Sequence, residues 1–194
     1  MPEGATWWWV RHGPTHAKTF VGWRDIPADL SDTAQLARLS DHLPADALVI
    51  ASTLIRASST ADAIQRKRTR LPDTPDLREF SFGDWDGRTF DDVAMTDPDL
   101  SRAYWEEPGH IRPPNGESWC DAAARIAPVV DQMNRDHVGS HIIAVAHIGV
   151  IMTQIERATG MAPDQVIGHR IDNLSVTRIT YGAGGSADPI NHVP

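Results

Sequence analysis

Short apolar runs alternate with longer amphipathic stretches along this chain of 194 residues. Three runs, at positions 6–10, 47–51 and 142–146, are rich in Trp, Val, Ile or Ala and are bounded by polar or turn residues, which is typical of buried strands. Each run is followed by a stretch in which apolar residues recur at helical spacing. This order of elements predicts an α/β fold with a largely parallel sheet.

The remaining patterns are less regular. A last strand is predicted within residues 166–181, and residues 182–194 lack an apolar period, which predicts a loose tail. The three consecutive indoles of Trp7-Trp8-Trp9 suggest packing on both faces of the sheet. The length is that of one domain, so we expect a single domain over 1–194 with its core at about 5–181. Helix caps are predicted at Ser52 or Thr53, at Ser118 and at Gly160.

Charge and composition argue against several classes of protein. Lys and Arg total 18 and Asp and Glu 26, and the resulting charge of −8 opposes binding to nucleic acid. The basic run at 66–70 follows a predicted helix and is interpreted as a solvated helix end. The longest apolar stretch, 142–152, is too short to span a bilayer, and the single Cys120 favours a reducing compartment. We therefore expect a cytoplasmic protein with neither a membrane nor a nucleic acid as partner.

Basic and imidazole side chains follow each of the three strands. Arg11 and His12 come at the end of the first strand, Arg56 soon after the second, and His147 directly after the third. Ligands of open α/β sheets bind outside the carboxyl ends of the strands, so these four side chains should meet at one edge. Arginine forks and helix N-termini bind phosphoryl oxygens, and a neutral imidazole can attack phosphorus. The pattern therefore indicates a site for a phosphoryl group.

Five blocks of sequence resemble the histidine phosphatase superfamily, the group that contains cofactor-dependent phosphoglycerate mutases and α-ribazole phosphatase-like enzymes. The likeness extends over about residues 5–180. One such block is a weak motif, whereas five in the family's order are specific. The blocks are residues 11–13 (RHG), 52–61 (STLIRASSTA), 77–87 (LREFSFGDWDG), 114–118 (PNGES) and 145–149 (VAHIG).

This resemblance implies a fold and a role for each matched residue. The fold would be a three-layer α/β/α sandwich with a mostly parallel central sheet, as in phosphoglycerate mutases. His12 would take up the phosphoryl group as a phosphohistidine, while Arg11, Arg56 and His147 would hold its oxygens. Glu79 would protonate the leaving oxygen and later activate water. No cofactor is implied, because cationic side chains take the place of a metal.

Several positions depart from the family's pattern. Pro14 and Thr15 follow the first block, where many members have Glu or Gln and, a few residues on, an Asn that helps to hold phosphate. Thr15, His16 and Lys18 are candidates to replace that Asn, and Lys18 can neutralise substrate charge. Ile148 stands where a small residue is frequent, which leaves its N–H available but narrows the pocket. Thr15, Lys18 and Ile148 are therefore further candidates for binding the substrate's phosphate.

Other acids and histidines offer alternatives to these assignments. Asp84 and Asp86 lie close enough in sequence to Glu79 to compete for the role of the acid. Two pairs of histidines have the i, i+4 spacing of metal ligands, but glycines interrupt any helix between them, so no metal site is predicted. The pairs are His12 with His16 and His137 with His141.

The reaction itself is less sharply indicated. Mutases of the family are longer between the acid and the Gly-Glu-Ser block, whereas here 38 positions separate Glu79 from Glu117. This favours a phosphatase that acts on a small phosphorylated metabolite. A phosphoglycerate mutase-type transfer and a non-catalytic scaffold that binds a phosphorylated ligand are the alternatives, and a homodimer is left open. Residues 88–113 should form a cap on the substrate side, with candidate lining residues Tyr104, Trp105, His110 and Arg112.

Overall fold

The computed structural model describes residues 4–194. Its strands are β1 (Thr6–Arg11), β2 (Leu48–Ala51), β3 (Thr69–Arg70), β4 (His141–Ala146), β5 (Val176–Thr180) and β6 (Ser186–Ala187). Its helices are α1 (Thr33–His42), α2 (Ile55–Gln65), α3 (Phe90–Thr96), α4 (Pro98–Glu106), α5 (Trp119–Asp136), α6 (Ile148–Thr159) and α7 (Pro163–Val166). Short 3-10 turns cover Pro75–Leu77 and Gly83–Trp85.

The strands form one sheet in the order β3-β2-β4-β1-β5-β6. The first four of these are parallel, whereas β5 is antiparallel to β1 and β6 is antiparallel to β5. Side chains alternate between the two faces of each strand. Ile142 packs with α5 and α6, while its neighbour Ile143 packs with α1 and α2. The predicted three-layer α/β/α fold with a mostly parallel sheet is therefore confirmed.

The three indoles of β1 are all accommodated, each with a partner for its N–H. Trp7 and Trp9 share a face and stack at 5.0 Å, and they donate to Asn134 Oδ1 and Tyr181 Oη. Trp8 faces the other side and donates to His141 Nδ1 at 3.3 Å. The run thus fills both faces of the central strand without leaving an indole nitrogen unpaired, as buried Trp requires.

The secondary structure of the last thirty or so residues differs from what the sequence predicts. The last long strand is only Val176–Thr180, and the residues from 163 to 166 form the short helix α7. The predicted loose tail instead continues the sheet, since β6 pairs with β5 and His192 exchanges two backbone hydrogen bonds with Val176. These are backbone contacts at a sheet edge, which need no apolar period and so leave no signal in the hydropathy pattern.

Two of the predicted helix caps are confirmed and one is wrong. Ser118 forms a reciprocal capping box with Asp121, and Gly160 ends α6 in the left-handed region at φ 71°. Neither Ser52 nor Thr53 caps α2, because Leu54 holds that position without a side-chain bond. The first amide of α2, that of Ile55, is bound instead by Asp25 Oδ1 at 2.7 Å, from a loop distant in sequence.

The basic run at 66–70 is not simply a solvated helix end. Arg68 is buried, and its guanidinium donates to the backbone carbonyls of four residues. Its hydrogen bonds therefore connect the C-terminal end of α2 to the last turn of α1 and to the segment that follows α1. The carbonyls belong to Ser40, Leu43, Pro44 and Ile64.

The segment 88–113 contains α3 and α4 and packs on a small core of its own. Phe20, Trp85, Val93 and Tyr104 form this cluster, separate from the two cores that cover the sheet. Phe20 is tied to the segment by backbone hydrogen bonds to Gly87 and Arg88. Within residues 4–194 no helix is long and apolar enough to cross a membrane.

Candidate active site

The predicted residues meet at the carboxyl edge of three adjacent strands. His12 directly follows β1, His147 directly follows β4, and Arg56 lies in the first turn of the helix after β2. The amide of His12 donates to the carbonyl of Ala146 at 3.1 Å, which extends the β1–β4 ladder by one residue. As a result the two imidazole rings lie side by side, with centroids 5.1 Å apart.

His12 is held as a neutral imidazole of one tautomer. Its Nδ1–H donates to the carbonyl of Gly13 at 2.6 Å, which leaves Nε2 as the unprotonated nitrogen. Burial, together with the charges of Arg56 and Arg11, lowers the pKa of His12 from 6.5 to about 3. A nitrogen lone pair is therefore available at neutral pH, as nucleophilic attack requires.

His147 has unmet hydrogen-bonding capacity. It is fully buried beside His12, and among the described residues neither of its ring nitrogens has a hydrogen-bond partner. Burial lowers its pKa well below 6.5, and the neighbouring His12 and Arg56 add to this effect. Leaving two buried polar atoms unpaired is costly in a native protein, so the arrangement indicates that a polar ligand completes it.

Two arginines bring positive charge to the cavity. Arg56 is buried, and it donates from its two Nη atoms to the carbonyls of Arg24, at 3.1 Å, and Gly22, at 2.7 Å. Arg11 donates to the carbonyl of Ile171 at 2.6 Å. The Nε of each arginine has no partner among the described residues. Burial lowers the pKa of both groups, but an arginine remains charged, so each keeps a donor and a charge for an anion.

Glu79 is the acid that lies at this site. Its carboxylate oxygens accept hydrogen bonds from the amides of Phe80, at 3.0 Å, and Gly149, at 3.3 Å. Burial raises the pKa of Glu79, and this outweighs the opposing effects of those amides and of Arg56. Gly149 is needed for the approach, because a Cβ there would lie 2.6 Å from Glu79 Oε1. A raised pKa suits a group that must hold a proton and then release it.

The two competing acids have other partners. Asp84 is exposed and accepts two hydrogen bonds from Asn115. Asp86 accepts from the amides of Gly22 and Arg24, which shapes the loop that holds Arg56. Neither is among the described residues that line the cavity, whereas Glu79 is.

Three residues that sequence reasoning missed hold Glu79 in place. Trp23 Nε1 donates to the carbonyl of Glu79 at 2.7 Å. Arg125 donates to the carbonyls of residues 76, 78 and 79 and pairs with Glu117 in a forked contact. Glu117 in turn accepts from the amide of Ser81 at 2.9 Å. Glu117 lay within a recognised block, but no spacing signal pointed to Trp23 or Arg125.

The remaining predicted residues divide into two groups. Thr15 and Ile148 line the cavity, and Tyr104 and Trp105 do so from α4.

The predicted residues of the second group are not on the part of the cavity wall that the structure describes. Lys18 is exposed, so its predicted contact with the phosphate has no geometric support. Three others turn to protein partners: His16 to Asp29, Arg112 to Asp121 and His110 toward Cys120. Over residues 4–194, no three His, Cys, Asp or Glu side chains form a group suited to a metal ion.

The fold and these side chains define an α/β protein with a cavity at the carboxyl edge of its sheet that is lined by arginine, histidine and glutamate side chains. The cavity measures about 450 Å³. The sequence model of the histidine phosphatase superfamily (branch 1) matches residues 7–187, and the chain belongs to this superfamily. The resemblance recognised from the five blocks is thereby confirmed.

Known proteins with similar sequences or structures agree with this membership. The chain is 29% identical over 172 residues to the adenosylcobalamin/alpha-ribazole phosphatase of Escherichia coli, covering 85% of this chain and 84% of that protein. A bifunctional protein of Mycobacterium tuberculosis is 29% identical over 168 residues, which are 86% of this chain but 44% of that protein. The solved structure of YhfR from Bacillus stearothermophilus is 27% identical and superposes with a TM-score of 0.86, covering 98% of each chain.

Proposed function

We propose that this protein is a metal-independent phosphomonoesterase that acts on a small phosphorylated metabolite through a phosphohistidine on His12. One observation carries this proposal: His12, whose Nε2 is unprotonated, lines the same cavity as the buried Glu79 and lies beside His147, whose ring nitrogens have no partner among residues 4–194. The cavity thus combines a nucleophile, a proton donor and groups able to bind phosphoryl oxygens.

The first step transfers the phosphoryl group to the protein. His12 Nε2 attacks phosphorus, a P–N bond forms, and the bond from phosphorus to the alcohol oxygen breaks. The protonated Glu79 gives its proton to that oxygen, so the alcohol leaves neutral. Arg11, Arg56 and His147 donate hydrogen bonds to the phosphoryl oxygens as charge develops there, the role that preorganised donors have in phosphoryl transfer.

The second step regenerates the protein. Glu79, now ionised, accepts a proton from water, whose oxygen attacks phosphorus as the P–N bond breaks. Inorganic phosphate leaves, His12 is neutral again and Glu79 is protonated again. A single carboxyl serves as acid and then as base, and burial, which raises the pKa of Glu79, favours the protonated form that the first step needs.

Hydrolysis is favoured over transfer between two hydroxyls of one molecule. The names of relatives do not separate the two reactions, since a protein of Escherichia coli named a phosphatase and one of Methylobacterium radiotolerans named a phosphoglycerate mutase are both 29% identical to this chain. The support for hydrolysis is the short segment between Glu79 and Glu117. A mutase must keep its phosphorylated intermediate from water, and a short cap offers less cover for this purpose.

The proposal is tested with the purified protein and a panel of phosphomonoesters of uncharged alkyl alcohols, in excess EDTA. We expect phosphate release by the wild type and by His137→Ala, a histidine at the far end of α5, and none by His12→Ala. Brief incubation with labelled substrate and an alkaline quench should leave the label on His12. Label on another residue, or turnover that needs added magnesium or zinc, would overturn the mechanism.

A further inference from the structure

The cavity wall has a second part that the proposed chemistry does not use. Seven Phe, Tyr and Trp side chains line the cavity, and five of them are joined to one another by ring contacts; we call these five the aromatic wall. The other two, Phe80 and Trp119, pack on each other. The five come from three separate segments of the chain, the loop after β1, the loop before α3, and the two helices of the cap. The aromatic wall consists of Phe20, Phe82, Phe90, Tyr104 and Trp105.

Phe20 is the centre of this wall. Its ring lies 4.4 Å from that of Phe90, 5.0 Å from that of Phe82 and 6.2 Å from that of Trp105, measured between centroids. The rings of Phe20 and Trp105 are nearly parallel, with 18° between their planes. These contacts make a continuous apolar surface, and the small core under α3 and α4 fixes it in position.

Two rings of the wall remain open to solvent. Phe20 is 2% exposed, whereas Phe90 is 52% and Trp105 41% exposed. Large aromatic side chains left half in water, on the wall of a cavity, gain free energy when a ligand covers them. The open faces of Phe90 and Trp105 therefore point to a ligand group with an apolar, flat surface.

The wall also lacks charge. Of the Lys, Arg, Asp and Glu side chains, only Arg11, Arg56 and Glu79 are among the residues described as lining the cavity, and together with His12 they form what we call the phosphoryl end. The other histidine of the lining, His169, is not part of the aromatic wall. Lys18 is exposed, and Arg112 pairs with Asp121. A carboxylate or second phosphate on the substrate would thus lose water next to the aromatic wall without gaining an ion pair with a Lys or Arg of that wall, and this is unfavourable.

We propose that the substrate is the phosphomonoester of an uncharged alcohol that carries an aromatic or similarly flat apolar group, which packs on Phe90 and Trp105. This inference rests on the proposed function for the position of the phosphate. Tyr104 and Phe82 form the inner part of the same surface, 6.4 Å apart between ring centroids. The wall therefore selects the alcohol, while the phosphoryl end performs the reaction.

Binding of phosphonates, which are not hydrolysed, tests the inference separately from turnover. We expect naphthylethylphosphonate to bind about tenfold more tightly than butylphosphonate by calorimetry, and carboxyethylphosphonate to bind more weakly than either. Trp105→Ala and Phe90→Ala should each remove most of the naphthyl advantage and weaken butylphosphonate binding much less, because a butyl chain covers less of the rings. Met95→Ala is the matched control, because Met95 is an exposed apolar residue of α3 that is not on the described cavity wall.

The outcomes separate this inference from the proposed function. Equal affinity for the naphthyl and butyl compounds, with phosphate still released from alkyl phosphates, overturns the aromatic preference alone. If Met95→Ala loses the naphthyl advantage as Trp105→Ala does, the loss reflects a general change in the cap, and the aromatic preference is overturned. If Trp105→Ala changes the molecular mass in solution and not the phosphonate affinities, the exposed rings form a contact between copies instead. If no phosphonate and no inorganic phosphate binds, the phosphoryl site and the inference both fail.

Discussion

The two parts of the cavity are built on different physical principles. At the phosphoryl end, His12, Arg56 and Glu79 are buried, and each is oriented by hydrogen bonds to backbone atoms. The aromatic wall is held by ring packing, and two of its rings are half exposed. Stabilisation of developing charge requires donors fixed in advance, whereas apolar contact depends mainly on area and tolerates changes of shape. We therefore expect substitutions at the phosphoryl end to affect rate and those in the wall to affect affinity.

Glu79→Gln should have the largest effect, because it removes both the acid of the first step and the base of the second. General acid catalysis contributes roughly 10²–10⁴-fold when the leaving group is poor, so kcat for an alkyl phosphate should fall by about that amount. An aryl phosphate with an acidic phenol needs no proton to leave. With it, stopped-flow traces should show a burst of phenol and then a slow phase, because the base that activates water is also lost.

Asp84→Asn is the matched control for that experiment, since Asp84 is exposed and bound to Asn115. It should give neither the selective loss nor the burst. A burst in Asp84→Asn or Asp86→Asn, with equal losses for both substrates in Glu79→Gln, would mean that Glu79 is not the acid.

Arg56→Lys should cost roughly 10²–10³-fold in kcat, for alkyl and aryl phosphates alike. Lysine keeps the charge but cannot bind the carbonyls of Gly22 and Arg24 and also face a phosphoryl oxygen. Steady-state kinetics of both substrates measure this. The control is Arg66→Lys, at an exposed arginine, which should keep the kcat of the wild type. If Arg56→Lys lowers kcat only for the alkyl phosphate, Arg56 acts through Glu79 instead.

Acid should destabilise the folded protein through its buried histidines. The folded pKa of His12 is lowered from 6.5 to about 3, so the unfolded state binds the proton more readily between these values. Above pH 6.5 His12 is neutral in both states and does not lower the free energy of unfolding. As the pH falls from 6.5 toward 3, this group lowers the free energy of unfolding by at most about 1.4 kcal/mol per pH unit. Urea titrations across this range should show the slope, and His12→Asn should reduce it. An unchanged slope in His12→Asn would contradict the assignment.

Trp23→Phe should have the smallest effect, a loss of roughly threefold to tenfold from one hydrogen bond to the backbone of Glu79. The loss should appear in kcat for alkyl phosphates and not in the aryl burst. Trp105→Phe makes the same chemical change at an indole of nearly equal exposure, 41% against 42% for Trp23. It should alter KM for substrates with a flat group. If Trp23→Phe instead alters only KM, the indole belongs functionally to the aromatic wall.

The sequence predicted the candidate site best where a reactive side chain follows the end of a strand. The alternation of short apolar runs with longer amphipathic stretches predicted the α/β class. The positions of His12, Arg56 and His147 after three strands predicted that these side chains meet at one edge of the sheet. Ser118 and Gly160 were readable because a helix end makes local demands on residue type. The choice of Glu79 over Asp84 and Asp86 followed from the resemblance and not from spacing. Burial separates these acids, and burial depends on the whole fold.

Along the chain, residue type and periodicity determined what is local or repeated: four of the six strands, two helix caps, and the residue types that meet at the cavity. Only the tertiary structure decided which distant residues support that cavity. Trp23 and Arg125 come from separate segments to bind one carbonyl, Asp25 binds the first amide of α2, and the tail extends the sheet through its backbone. Such contacts join polar groups far apart in sequence, and the hydropathy pattern carries no record of them because backbone donors and acceptors are the same in every residue.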